Sequence, residues 1–163
     1  AASEHRADAG ISAETPLAKT AGRISEIARN APVDINKADT SDLQTIRGIG
    51  PAFSRRIVGY RELLGGFLFK EQLKEVYGLD SLRYEEIKDF VVAGETEIRK
   101  ININTADFSD LVRHPYIDRN IANAILNLRR QHGDFASAND LSMSYVINEE
   151  QLARMLPYIC TGD

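Results

Sequence analysis

Gly48-Ile49-Gly50-Pro51-Ala52 is the stretch whose residue types and spacing can hold an anion through the backbone alone. A chain that reverses within about four residues needs backbone freedom that glycine has at little steric cost, and Gly48 and Gly50 are read as supplying it. Ile49 is apolar enough to be the wedge between two short helices. Pro51 suits the first position of the second helix, where its missing N–H costs nothing. The leading amides of that helix have no acceptor within it and lie at the positive end of its dipole, which suits a phosphate. Positions 43–61 contain no Asp or Glu, whereas Arg47, Arg55, Arg56 and Arg61 all fall there. The candidate phosphate-contacting set is therefore Arg47, Gly48, Ile49, Gly50, Ala52, Ser54, Arg55, Arg56 and Arg61.

The elements that must position this set occur twice. A shift of 68 residues lays Ile35-Asn36-x-Ala38-Asp39-x-Ser41-Asp42-Leu43 onto Ile103-Asn104-x-Ala106-Asp107-x-Ser109-Asp110-Leu111. It also aligns Ile49 with Ile117, Ile57 with Ile125, Arg61 with Arg129, Gly65 with Gly133 and Phe67 with Phe135. Positions 35–73 match at 13 of 39 places without a gap, which makes the chain two copies of one domain. Within a copy, Asp39 is expected to cap the first helix, with Asp42 favouring the same end. The helix after the hairpin carries Phe53, Ile57, Tyr60 and Leu64 on one face, with Ser54 and Arg55 away from it, and ends at Gly65-Gly66. Leu73, Val76, Gly78 and Leu79 then echo Leu43, Ile46, Gly48 and Ile49 as a worn second hairpin. Asp80 or Ser81 starts a closing helix whose Tyr84, Ile87, Phe90 and Val91 complete the core.

The expected fold is all-α, with two tandem small helical domains of two hairpins each. A polar leader covers 1–14 and a helix 15–31, with Thr15 as cap and Pro16 as its first residue. The first domain spans 32–94, a charged linker 95–100, and a second domain with a degenerate hairpin 101–163. That hairpin reads Tyr116-Ile117-Asp118-Arg119, so both glycines are gone and a carboxylate stands where a phosphate would approach. Arg119, Arg129 and Arg130 read either as backbone contacts or as a solvated face. His114 and His132 lack the neighbours a metal needs and read as structural, His132 on the core stripe of its helix. Phe53, Tyr60, Phe67 and Phe90 have core spacing.

The first hairpin resembles the helix-hairpin-helix motif, with its leucine, its hydrophobic-Gly-hydrophobic-Gly turn and its second helix. Ile35-Asn36-Lys37-Ala38-Asp39, Tyr60-Arg61 and Gly66-Phe67 extend the likeness to ComEA-type receptors of bacterial DNA uptake. The resemblance implies sequence-independent binding of double-stranded DNA through phosphates. It implies hairpin amides as ligands, in some members a monovalent cation on hairpin carbonyls, and a place in the cell envelope. It carries over to Gly48, Ile49 and Gly50 alone. The same resemblance covers a small extrinsic photosystem II subunit that uses the fold without DNA, so a protein-interaction module is the alternative.

Composition narrows the classes. A chain of 163 residues with 43% hydrophobic content can bury a core. The net charge of -4, and nine basic against ten acidic side chains in 34–89, make any DNA affinity modest and salt-sensitive. Cys160 is the single cysteine, which excludes an internal disulfide and a cysteine-based zinc site. No apolar run approaches the ~20 residues that cross a bilayer, so no membrane insertion of this stretch is expected. The start at Ala1-Ala2-Ser3 without methionine fits a processed product or an excised piece, with any signal or anchor upstream. Base-excision glycosylases also carry such a hairpin, but Gly50-Pro51-Ala52-Phe53 lacks their following lysine and two small domains leave no flipped-base pocket. No nucleophile triad or nucleotide loop is evident, and the chain is read as non-enzymatic.

Overall fold

The computed structural model describes residues 31–162. The leader expected over 1–14 and the helix expected to begin at Thr15 and Pro16 lie outside the described residues. The first copy runs β1 (Val33–Asp34), α1 (Thr40–Gln44), α2 (Pro51–Leu64), a 3-10 turn (Lys70–Glu75), α3 (Ser81–Ile87), a second 3-10 turn (Lys88–Phe90) and β2 (Val91–Val92). The second repeats this order with β3 (Ile101–Asn102), α4 (Phe108–Arg113), α5 (Arg119–His132), 3-10 turns Ala138–Met143 and Leu156–Tyr158 around α6 (Glu149–Met155), and β4 (Ile159–Cys160). Among the described residues no helix is long and apolar enough to cross a membrane.

Side-chain caps set the helix starts. Asp39 accepts from the amides of Ser41 and Asp42 while Asp42 returns a bond to the Asp39 amide, and Asp107 and Asp110 repeat the exchange. Asp80 caps α3, Asp118 caps α5 and Asn148 caps α6. The core of each copy is built by the repeated apolar positions: Ile35, Leu43, Ile57, Phe67 and Leu73 are buried, as are Ile103, Leu111, Ile125, Phe135 and Leu141.

Two small parallel bridges close the copies, an addition to the helical expectation. Val33 pairs with Val91 and Ile101 with Ile159, so each domain's entry and exit are tied together. The repeated Asn reinforces the closure. Asn36 donates to the carbonyls of Phe67 and Gly94, both at 2.9 Å, and accepts from the Phe67 amide; Asn104 does the same with Phe135 and Thr161.

Three expectations are corrected. Phe90 is exposed, since the chain turns into β2 before the ring reaches the core. His132, the last residue of α5, is exposed as well, although Leu64 at the same place in α2 is fully buried. Ser54 is fully buried rather than on the outer face, with its hydroxyl donating back to the Pro51 carbonyl at 3.0 Å. The linker 95–100 is held against the first copy. The Arg99 amide donates to the Gly65 carbonyl at 2.9 Å, and Ile98 packs on the first core. Gly65 sits at φ 93, and a Cβ there would come within 2.4 Å of the Arg99 carbonyl oxygen, so only glycine admits the connection.

Candidate nucleic-acid interface

The first hairpin joins α1 to α2. Ile46 donates to the Leu43 carbonyl and Ile49 to that of Ile46, at 3.1 and 3.0 Å, which draws the chain into a tight reversal with Ile46 and Ile49 buried beneath it. Gly48 supplies the positive φ of 99° that this path needs. Gly50 does not: its φ of -94° and ψ of -174° suit any residue, and a Cβ there meets nothing within 4 Å. What Gly50 contributes is the absence of a side chain. It is the N-cap of α2 with no capping side chain, and Pro51 at the first helical position has no N–H. The amides of Ala52 and Phe53 are left without an intrahelical acceptor.

This bare end is distinctive. Every other α-helix among the described residues, α1 and α3 to α6, begins with an Asp or Asn whose side chain accepts from its own first turn. In the second copy Asp118 stands in the place of Gly50 and accepts from the Ile121 amide at 2.8 Å. Its carboxylate fills the capping position that Gly50 leaves bare.

Of the nine predicted site residues, the hairpin brings Arg47, Gly48, Ile49, Gly50 and Ala52 to one end of α2, with Arg47, Arg55 and Arg56 exposed. Arg56 lies over the Phe53 and Tyr77 rings at 5.5 and 5.0 Å and donates to the Tyr77 carbonyl. Ile49 serves as the buried wedge. Ser54 is buried, so its hydroxyl has no path to a ligand. Arg61 is used for the fold: it donates to the carbonyls of Ile35 and Ala38 at 2.8 and 2.7 Å, and Arg129 does the same to Ile103 and Ala106. The repetition of that clasp in a copy without the glycines marks it as architectural.

The second hairpin has another task. His114 is buried, with Nε2 3.0 Å from the Leu64 carbonyl at the end of α2, while its Nδ1 accepts from the Tyr116 amide. That acceptor role puts the proton on Nε2, which donates across to the first copy. Burial holds the imidazole below its ordinary pKa, outweighing the Leu64 hydrogen bond. Tyr158, from the second copy, enters the first copy's core and donates to the Gly66 carbonyl. Gln72 donates to both Tyr116 and Tyr158 and accepts from the amides of Leu68 and Phe69. Glu75 receives the Tyr60 and Tyr116 hydroxyls and pairs with Arg154 at 3.1 Å. Burial drives the Tyr60 hydroxyl far above its usual range, with the Glu75 hydrogen bond adding to the shift; burial pushes Tyr158 to about 12.

Sequence reasoning missed this junction. Its only signal was that the second copy departs from the first where His114 and Tyr116 replace Ile46 and Gly48. A cleft of about 370 Å³ lined by Glu75, Tyr116, Asp118 and Arg154 lies at the junction and not at the first hairpin.

The family description "Helix-hairpin-helix motif" matches residues 29–92 and again 96–160. Endonuclease/exonuclease/phosphatase family domain-containing protein 1 of Homo sapiens is 29% identical over 152 residues, covering 76% of this chain and 27% of that protein. The protein of the same name from Danio rerio is 31% identical over 141 residues, covering 76% and 26%. ComE operon protein 1 of Bacillus subtilis (strain 168) is 36% identical over 67 residues, covering 41% of this chain and 33% of that protein. The chain thus spans about a quarter to a third of the length of these relatives. No solved structure matches it. With the glycine turn, the bare helix end and a match over each copy, the chain belongs to the helix-hairpin-helix family, whose unit it carries twice.

Proposed function

We propose that the first copy binds double-stranded DNA without sequence preference. One observation carries this reading: the N-terminus of α2 is the one α-helix start among the described residues left without a capping side chain, and it lies among exposed arginines. The Ala52 and Phe53 amides receive one phosphate, Gly50 keeps the approach open, and Arg47, Arg55 and Arg56 draw in the neighbouring backbone. Backbone amides and guanidinium groups on phosphates read no bases, so sequence is not discriminated. The family's cation on hairpin carbonyls belongs to the same proposal. The Ile46 carbonyl already accepts from Ile49, so such an ion would rest on its neighbours; equal affinity in potassium and in tetramethylammonium chloride at one ionic strength would exclude it.

The resemblance to ComEA-type receptors and the likeness to ComE operon protein 1 support a role in DNA uptake at the cell envelope. The longer matches, through both copies, support a DNA-holding part within a protein that carries an endonuclease/exonuclease/phosphatase domain elsewhere. A protein-interaction role is the second reading, favoured by the net charge of -4 and by the loss of both glycines from the second hairpin.

The test is fluorescence anisotropy with a labelled duplex of random sequence, titrated at several salt concentrations for the natural chain and for Gly50→Asp. The expected dissociation constant is about 10⁻⁴ to 10⁻⁶ M, with a log-log salt slope of about -2 to -3 for two or three phosphates. Gly50→Asp is expected to lose at least about tenfold in affinity, since its carboxylate occupies the amides and repels the phosphate. Undiminished binding by that variant overturns the hairpin assignment, and absence of binding at low salt leaves the protein-interaction reading.

A further inference from the structure

Beside the bare helix end lies a group of side chains that the phosphate site does not use. Phe53, the third residue of α2, has the Arg83 guanidinium over its ring at 4.8 Å and that of Arg56 at 5.5 Å. Arg56 also covers the Tyr77 ring at 5.0 Å. Gly78 closes the stack from below, for a Cβ there would come within 3.0 Å of Arg56 Nη1 and 3.2 Å of Phe53 Cε1. Tyr77 is nonetheless 81% exposed. Of the acids flanking Tyr77, Glu75 pairs with Arg154 at 3.1 Å and Asp80 caps the Arg83 amide at 2.9 Å.

A tyrosine propped by a guanidinium yet open to solvent offers a π-face at little further ordering cost, next to cations suited to a phosphate backbone. Stacking on such a face needs a base whose own face is free. Within an intact duplex those faces are covered by neighbouring pairs; at a single-stranded tail or gap they are not. The second copy supplies a comparison within the same molecule. The 68-residue shift turns Phe53, Arg56, Tyr77 and Arg83 into Ile121, Ala124, Tyr145 and Gln151, so its exposed tyrosine has no guanidinium support. The supported tyrosine and the uncapped helix end occur in the same copy.

Resting on the reading of the first hairpin as a DNA site, we propose that Tyr77, supported by Arg56, stacks an unpaired base beside the hairpin-bound phosphate. The preferred ligand is then a junction between duplex and single-stranded DNA.

The experiment compares a blunt labelled duplex with the same duplex carrying a short single-stranded tail, by anisotropy at one low salt concentration. The natural chain is expected to bind the tailed duplex about five- to tenfold more tightly, an increment on the scale of one stacked base. Tyr77→Ala is expected to lose that increment while keeping its affinity for blunt duplex, Tyr77→Phe to retain it, and Tyr145→Ala to behave as the natural chain. Circular dichroism verifies that each variant is folded. Equal affinity of the natural chain for blunt and tailed duplex overturns the stacking proposal and leaves the duplex reading standing. So does an increment that survives in Tyr77→Ala. Absence of binding to either DNA overturns both.

Discussion

Gly50 and Asp118 occupy one place in two copies of the same domain, and the difference between them is a carboxylate that has become the ligand of its own helix. The two glycines of the first hairpin can therefore be separated by experiment. Gly48→Ala forces a side chain into φ 99 and is expected to cost about 1–2 kcal/mol of stability. Gly50→Asp places an ordinary N-cap at an unstrained position and is expected to raise stability by up to about 0.5 kcal/mol while weakening DNA binding. Thermal melts of the two variants check the contrast. Arg61→Ala is expected to destabilise by about 1–3 kcal/mol through two lost carbonyl contacts, as is Arg129→Ala. Neither is expected to change the salt slope of DNA binding, which separates a clasp from a phosphate ligand.

At the scale of the element, α2 has two ends with two tasks. Its first turn leaves amides uncapped, the proposed phosphate site, and its last carbonyls receive His114 from the second copy. The histidine makes that second contact sensitive to acid. Its folded pKa lies below the ordinary value because burial disfavours the imidazolium, so the native state holds the neutral ring. The contact's contribution is complete above the unfolded pKa of about 6.5 and falls as pH drops towards the folded value. Protonation would also set an Nδ1–H against the Tyr116 amide. Denaturant unfolding at about pH 7.5 and pH 5.5 is expected to show a loss that shrinks in His114→Gln, which keeps a side-chain donor and does not titrate.

For the whole molecule, the proposed DNA site occurs once although the domain occurs twice. In the second copy His114 and Tyr116 contact the first copy and Asp118 caps its own helix, so titration to saturation is expected to give one hairpin-bound duplex per chain. The junction is polar and fully satisfied: Gln72 is 1% exposed and makes four hydrogen bonds, two to hydroxyls of the other copy. Gln72→Ala leaves buried hydroxyls and amides without partners and is expected to cost at least about 2 kcal/mol. Loss of coincidence between two spectroscopic probes of denaturation, one in each copy, checks whether the copies then unfold separately.

The sequence by itself determined what is local or repeated. Caps at Asp39 and Asp107, the glycine hairpin, the apolar stripes and the duplication all follow from residue types at short spacing, where propensity and hydrophobic period act directly. Even the departure of the second hairpin from the first was legible in Asp118. Tertiary structure decided what depends on partners far along the chain. Arg61 read as a free cation until the Ile35 and Ala38 carbonyls were found 26 and 23 residues away, and Ser54 read as outward-facing until α2 was packed. His114, Tyr116 and Tyr158 carried no periodic signal, because their partners, Leu64 and Gln72, belong to another copy and meet them only after both have folded. A hydrogen bond spanning 86 residues, such as that from Gln72 to Tyr158, leaves no pattern in either neighbourhood, since burial and direction, not spacing, select it.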